Sequence, residues 1–329
     1  MPHFNILLCA LSLTLHSISA ATAPCIELND GNKIPVVALG TGRGTAPANE
    51  SIDEVRNAVF EAIKAGYRHI DTAEIYGDEE QVGQGIADAI AHGVIKREEV
   101  FVTTKLWSDQ HAKEQVVPAL RGSLRRLGLT YVDLYLIHFP LSLKEDGSAD
   151  NIDYLETWEG MESAKELGLA ASIGVSNFNK EQIDRLVANG KVKPVINEVE
   201  VNPTLTQVPL VEHCQKLGIA VMAYSPFGFL VGRNSDNAPP PRADDPILVN
   251  IANKYGKSTT QVVLRYLIER GMIPIPKSTN KRRLAQNIDL FDFSLTPEEV
   301  DTIGKFNKNI RVIKATDWQD YPYYPFEKE

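Results

Sequence analysis

The sequence predicts a single α/β domain in which parallel strands alternate with helices. Short β-branched or apolar runs alternate with longer stretches of helical period from about residue 34 onward, the rhythm of consecutive βαβ units. Several strand runs are apolar at successive positions, as strands covered on both faces must be. Rhythm alone fits both a closed (β/α)8 barrel and an open doubly wound sheet. No Gly-x-Gly-x-x-Gly follows the first strand, which weakens the dinucleotide-binding version of the open sheet. One barrel routinely uses a chain of this length, 329 residues.

The first 23 residues are compositionally separate. Phe4 to Leu15 carries no charge and is apolar except for Asn5, Ser12 and Thr14. Small residues from Ser19 to Ala23 offer cleavage after Ala21 or Ala23, so residues 1–23 read as a secretory signal peptide, with only His3 and the terminal amine in the n-region. The expected mature chain is 24–329 and secreted, with a cytoplasmic location as the alternative. An uncleaved anchor would need about 20 apolar residues, and no second span follows.

Asp30-Gly31 within Leu28–Asn32 signals a hairpin that would cap one end of a barrel. Strands are then expected over Pro35–Leu39, Tyr67–Asp71, Val100–Lys105, Val132–His138, Ala171–Val175, Val195–Val199, Ile219–Tyr224 and Ile273–Pro276. Helical period covers Ile52–Ala65, Glu79–His92, Lys113–Leu127, Tyr154–Leu167, Lys180–Ala188, Pro209–Leu217 and Thr259–Glu269. Phe229–Pro246, with three consecutive prolines, breaks the rhythm as a long insertion suited to a lid. Thr296 is placed to cap a short helix starting near Pro297. Beyond it, Trp318, Tyr321, Tyr323, Tyr324 and Phe326 make a tail too apolar to lie free, so it should pack on the barrel wall or a ligand.

A net charge of -9 argues against a nucleic-acid partner. Removing the leader discards Cys9 and leaves Cys25 and Cys214, too few for a disulfide framework. Cys214 falls on a helix and reads as a buried thiol. In an exported chain Asn49-Glu50-Ser51 would be a glycosylation sequon, whereas Pro203 rules out Asn202.

Polar residues gather where strands stop. Asp71, Lys105, His138, Ser176-Asn177, Glu198, Tyr224-Ser225 and Lys277-Ser278 lie at successive strand ends, and Tyr76 follows Asp71 by five residues. Singly each has an ordinary explanation, such as a helix cap or a bonded core histidine. In a barrel all these ends meet at one rim, where such enzymes keep their active sites.

At this point the chain resembles a known family. Gly66-Tyr67-Arg68-His69-Ile70-Asp71-Thr72-Ala73 with Tyr76-Gly77, Lys105-Leu106-Trp107, Asp133 through His138, Gly174 through Phe178, and Ile275-Pro276-Lys277-Ser278 resemble the aldo-keto reductase superfamily. The likeness runs in order from about Ile34 to Asn309. It implies a single (β/α)8 TIM barrel with an N-terminal β-hairpin and a C-terminal substrate loop. It further implies a catalytic set of Tyr76, Asp71, Lys105 and His138, in which a hydride from NADPH reaches a carbonyl carbon while Tyr76 protonates the oxygen. Lys105, paired with Asp71, would lower the phenol's pKa from its free value of about 10, and His138 would orient the carbonyl. Relatives that reduce steroid double bonds have Glu in place of His138, so carbonyl reduction is implied here.

By the same resemblance Ser176 and Asn177 would bind the nicotinamide carboxamide, with Tyr224 stacking on its ring and Ser225 beside it. Lys277, Ser278, Arg283 and Asn287 would hold the adenosine end. Lys277 and Arg283 suit a 2′-phosphate, hence NADPH over NADH, although Lys281-Arg282-Arg283 also reads as a solvated basic run. No metal is expected, and a monomer is. Two departures stand out. Glu198 replaces the family's usual Gln, and a carboxylate accepts but does not donate, so it becomes a carboxamide acceptor. Gly42 replaces a common Trp, followed by a loop containing Arg43-Gly44-Thr45, which should widen a pocket lined by Trp107, Phe139 and Trp318. The wide pocket, leader and loop make the chain similar to insect 3-dehydroecdysone reductases, implying the 3-keto group of an ecdysteroid as substrate. A general aldehyde or ketosteroid reductase, a non-catalytic NADPH-binding subunit, and a Schiff-base aldolase using Lys105 are the alternatives.

Overall fold

The computed structural model describes residues 23–42, 53–231 and 238–327. The expected signal segment through residue 22, the Asn49 sequon, the Arg43–Thr45 loop and the middle of the Phe229–Pro246 insertion lie outside the described residues.

Strands β1 (Cys25–Glu27) and β2 (Lys33–Pro35) form the antiparallel hairpin, with Cys25 opposite Pro35. Its turn uses Gly31 at φ 85°, the left-handed conformation that glycine adopts without steric cost. Eight parallel strands follow in sequence order: β3 (Leu39–Gly40), β4 (His69–Asp71), β5 (Phe101–Leu106), β6 (Val132–Ile137), β7 (Ala170–Ser176), β8 (Ile196–Glu200), β9 (Ala220–Tyr224) and β10 (Met272–Pro274). The Ala38 N–H donates to Pro274 O and the Gly40 N–H to Pro276 O, both at 3.2 Å, and Gly40 bridges Lys277 in parallel. These bonds join the last strand to the first, so the sheet closes into the (β/α)8 barrel.

Outside it lie α1 (Glu54–Ala65), α2 (Glu79–Ala91), α3 (Lys113–Leu127), α4 (Tyr154–Glu166), α5 (Lys180–Asn189), α6 (Val208–Lys216), α7 (Pro246–Tyr255), α8 (Thr259–Glu269), α9 (Lys281–Ile288) and α10 (Pro297–Gly304). Their apolar stripes meet the outward strand residues in one continuous core. Thr296 caps α10 as expected, exchanging side-chain and backbone bonds with Glu299. Among the described residues no helix is long and apolar enough to cross a membrane.

The apolar run Pro35–Leu39 spans a change of partner, and hydrophobicity alone does not mark where that happens. Pro35 closes the hairpin, whereas the barrel ladder begins only at Leu39. Helix α7 was not foreseen, because it opens on Pro246, the last residue of a proline-rich insertion.

Side-chain alternation sets the interior. Phe101, Leu134, Leu136, Ile196, Met222 and Ile273 fill the lower barrel, and Leu28 and Ile34 of the hairpin plug its floor. Gly174 belongs to this layer, where an added Cβ would fall 2.8 Å from both Ile196 O and Leu136 Cδ2. The same inward parity, two residues further along or four in the case of Lys105, delivers Lys105, His138, Ser176, Glu198 and Tyr224 to the rim.

Candidate active site

Lys105 is fully buried and anchors the rim. Its ammonium donates to Asp71 Oδ1 at 2.7 Å and to the Thr72 carbonyl at 3.1 Å, and it lies 3.3 Å from Glu198 Oε1. The Tyr76 ring centroid is 5.2 Å from Nζ. Tyr76 ends a 3-10 turn, Glu74–Tyr76, that Arg126 fastens from α3 by donating to Glu74 Oε1 at 3.1 Å and to Glu79 Oε2 at 2.6 Å. The His138 and Tyr76 rings meet nearly edge-on, 5.7 Å apart at 82°. Gly42 presses against the phenol, for a Cβ there would sit 3.0 Å from Tyr76 Cζ. The open wall expected at Gly42 is therefore also a close contact with Tyr76.

Burial would push the Lys105 ammonium down, but Asp71, Glu198 and Tyr76 hold it above its ordinary range. Lys105 stays charged. Burial, and to a lesser degree Lys105, keeps His138 neutral, well below the usual imidazole range. The Tyr76 phenol departs from expectation. Lys105 does pull it down, yet burial outweighs that pull, and Asp71 and Glu198 add to burial, so the net direction in the ligand-free chain is upward.

Glu198 differs most from its expected place. Instead of presenting a free acceptor to a carboxamide, its carboxyl turns onto Lys105, while its backbone carbonyl accepts from Ser176 Oγ and the Asn177 N–H, both at 2.9 Å. Asn177 sits at φ 62°, which turns the chain sharply after β7. Its amide donates to the His138 carbonyl at 2.9 Å and accepts from the Tyr224 hydroxyl at 2.7 Å. Ser176, Asn177 and Tyr224 thus form one ledge beside His138, with Ser225, also at positive φ (46°), directly after β9.

The proposed adenosine end is built around α9. Asn280 caps that helix, Ser278 Oγ accepts from Arg283 Nε at 3.3 Å, Arg283 is exposed, Asn287 is buried and Lys277 is half-buried. Trp107, Phe139 and Trp318 come together as a wall: Trp318 stands 5.4 Å from Phe139 and 6.0 Å from Trp107 between ring centroids. Trp107 also meets His138 at 5.2 Å.

The aromatic tail therefore packs over the rim. Sequence reasoning missed how it is fastened. Glu200, buried at the end of β8, accepts the Val312 and Ile313 N–H groups at 2.8 and 2.9 Å, and Arg311 lies 3.9 Å over the Phe326 ring. The available signal was strand parity: Glu200 shares Glu198's inward face two residues on. Arg126 gave no such signal, because its partners are distant in sequence.

Residues 37–308 match the Aldo/keto reductase family. The chain is 71% identical over 306 residues to aldo-keto reductase AKR2E4 of Bombyx mori, covering 93% of this chain and 99% of that protein. The crystal structure of AKR2E4 in complex with NADP superposes with a TM-score of 0.92 over 93% of this chain and 100% of that one. The structure of aldo-keto reductase AKR2E5 complexed with NADPH, 44% identical, gives 0.92 over 94% and 95%. Prostaglandin F synthase 1 of Bos taurus is 42% identical over 320 residues, 92% of this chain and 98% of its own. With this barrel, these strand ends and these relatives, the chain belongs to the aldo/keto reductase family.

Proposed function

We propose that this chain is an NADPH-dependent carbonyl reductase acting on a bulky apolar ketone, the 3-keto group of an ecdysteroid such as 3-dehydroecdysone. The observation that carries the reaction type is the buried Lys105–Asp71 pair beside the Tyr76 phenol and the neutral His138. NADPH, when bound, supplies the hydride. Tyr76 donates its proton to the substrate oxygen, and the Lys105 ammonium stabilises the phenolate left behind, an attraction strengthened where water is excluded. Asp71 holds Lys105 charged. Neutral His138 offers one N–H to the carbonyl oxygen, fixing the carbon for attack.

The residues present fit such a dinucleotide. Ser176, Asn177 and Tyr224 supply polar groups and a flat ring beside His138. Ser278 and the exposed Arg283 at the start of α9 suit an anionic phosphate. The NADP and NADPH complexes of the two AKR2E relatives support the same reading. The aromatic wall of Trp107, Phe139 and Trp318 supports a large apolar substrate.

A Schiff-base reaction at Lys105 is disfavoured, since a nucleophilic amine must be neutral and the buried Asp71 carboxylate holds this one charged. The deciding experiment follows nicotinamide absorbance with 3-dehydroecdysone, other ketosteroids and small aldehydes, using NADPH and NADH in parallel. Faster turnover of 3-dehydroecdysone with NADPH is expected. Preference for small aldehydes would make the chain a general reductase, and cofactor binding with no turnover would make it a carrier. The leader supports secretion as a further part of the proposal. Amino-terminal sequencing of protein from extracellular fluid should begin near Thr22 or Pro24, and an intact Met1 in the cytosol would refute it.

A further inference from the structure

Two buried carboxyls converge on one buried ammonium. Asp71 Oδ1 lies 2.7 Å and Glu198 Oε1 3.3 Å from Lys105 Nζ, and all three side chains are almost wholly shielded from solvent. The two carboxyls therefore share one ammonium. Their remaining oxygens, Asp71 Oδ2 and Glu198 Oε2, have no protein donor. Two ionised carboxylates on that ammonium would leave both remaining oxygens as buried acceptors with no donor. They would also leave one negative charge unpaired in a low-dielectric site, an arrangement that neutralises itself by taking up a proton. One proton resolves both faults, since it supplies the missing donor and leaves one carboxylate for one ammonium.

We propose that Glu198 is a protonated carboxylic acid at neutral pH, sharing its proton with Asp71 beside Lys105, and that its ionisation sets the alkaline limit of the reaction. Asp71 has the shorter bond to Lys105 and so retains the charge. Burial first, and then the Asp71 charge, pushes Glu198 well above the ordinary carboxyl range, in the direction the geometry requires. The titratable groups that interact electrostatically with Glu198 are Asp71 from β4, Tyr76 from the turn after it, Lys105 from β5, which touches it, and Tyr224 from β9, while His138 of β6 feels Lys105. Glu200 and Arg311 act electrostatically, in opposite directions, on the Tyr224 hydroxyl.

The consequence falls on Tyr76. Lys105 lowers the phenol's pKa, while negative charge on Asp71 and Glu198 raises it. A neutral Glu198 removes one of the opposing charges, so the phenol gives up its proton more readily than it would between two carboxylates. Glu198 here is a positioning residue that acts through Lys105. The single O–H of the acid is directed at Asp71, so it does not replace the donor that Gln would offer a carboxamide.

The test has two arms, because the kinetic consequence rests on the carbonyl-reductase reading and the protonation does not. In the first arm, infrared difference spectra of ligand-free wild type and Glu198→Gln are compared at neutral pH. A protonated-carboxyl C=O band that shifts in deuterium oxide and disappears in the variant is expected. Absence of that band from wild type, or its persistence in Glu198→Gln, overturns the proposal whatever the enzyme reduces. In the second arm, kcat for carbonyl reduction is followed against pH with saturating NADPH. Gln mimics the neutral acid, so the Glu198→Gln profile, read for its shape relative to its own rate at neutral pH, should lack the wild-type decline at alkaline pH. Glu198→Leu, which offers no donor to the second oxygen of Asp71, should be slower at every pH. A Glu198→Gln rate displaced by the same factor throughout, with the alkaline decline intact, would mean that Glu198 is already ionised and would sink the idea.

Discussion

The lower and upper halves of the barrel interior are built from the same strands with opposite chemistry. On β6 the inward positions run Leu134, Leu136, His138, and on β8 they run Ile196, Glu198, Glu200. Below, apolar side chains interlock and need no partners. Above, each buried polar group requires one: Lys105 takes Asp71, Glu198 and Thr72, while Glu200 takes two backbone N–H groups of the tail. Burial stabilises in the first case and costs free energy in the second. The rim is therefore expected to give activity without much stability, and the floor stability without activity.

The largest effect expected of that division is at the phenol. Tyr76→Phe should lower kcat by about 10²- to 10⁴-fold, the usual worth of a positioned general acid. Melting temperature and NADPH affinity should stay near wild type. Near-normal turnover by this variant would remove the phenol from the chemistry. The converse test is Leu134→Ala at the floor, where the side chain is fully buried. Its expected cost is about 2–5 kcal/mol of folding stability, read by denaturant unfolding. Its kcat per folded molecule should be unchanged, and a loss comparable to that of Tyr76→Phe would break the comparison.

A smaller effect belongs to the wall above the rim. Trp318 is half-buried against Trp107 and Phe139. Trp318→Ala should raise KM for a ketosteroid by about tenfold, roughly 1.4 kcal/mol, while leaving small aldehydes nearly unaffected. Equal loss for both substrates would mean that the tail supports the rim and does not contact substrate.

Much of this molecule could be read in the sequence because parity and period are local. Lys113–Leu127 and Thr259–Glu269 were expected within the bounds that α3 and α8 show, each with its apolar stripe repeating every helical turn. The strand ends were legible for a similar reason, since seven of the eight runs finished on or beside a polar residue. The direction of the Glu198 carboxyl was not, because a strand's parity says that a residue points inward and not what it meets across the barrel. Glu200 and the tail backbone lie 112 and 113 positions apart, and no local pattern encodes such a bond. The net direction of the Tyr76 shift also depends on depth in the folded barrel, a quantity the motif does not carry.

The smallest effect is expected where the rim leaves the barrel altogether. Arg283 is exposed and holds its guanidinium against Ser278 by one bond of 3.3 Å, so a phosphate there would compete with water and salt. Arg283→Ala should weaken NADPH by about 1 kcal/mol, roughly fivefold, as exposed ion pairs do. NADH, which lacks the 2′-phosphate, should bind as before, and the NADPH deficit should shrink as ionic strength rises. Titration of both nicotinamides at low and high salt separates the outcomes. Equal weakening of both, or a deficit insensitive to salt, would mean that Arg283 shapes α9 and does not read the phosphate. Preference between the nicotinamides would then rest on Lys277, which is half-buried just past β10 where it bridges to Gly40, and so, unlike Arg283, would be screened less by salt.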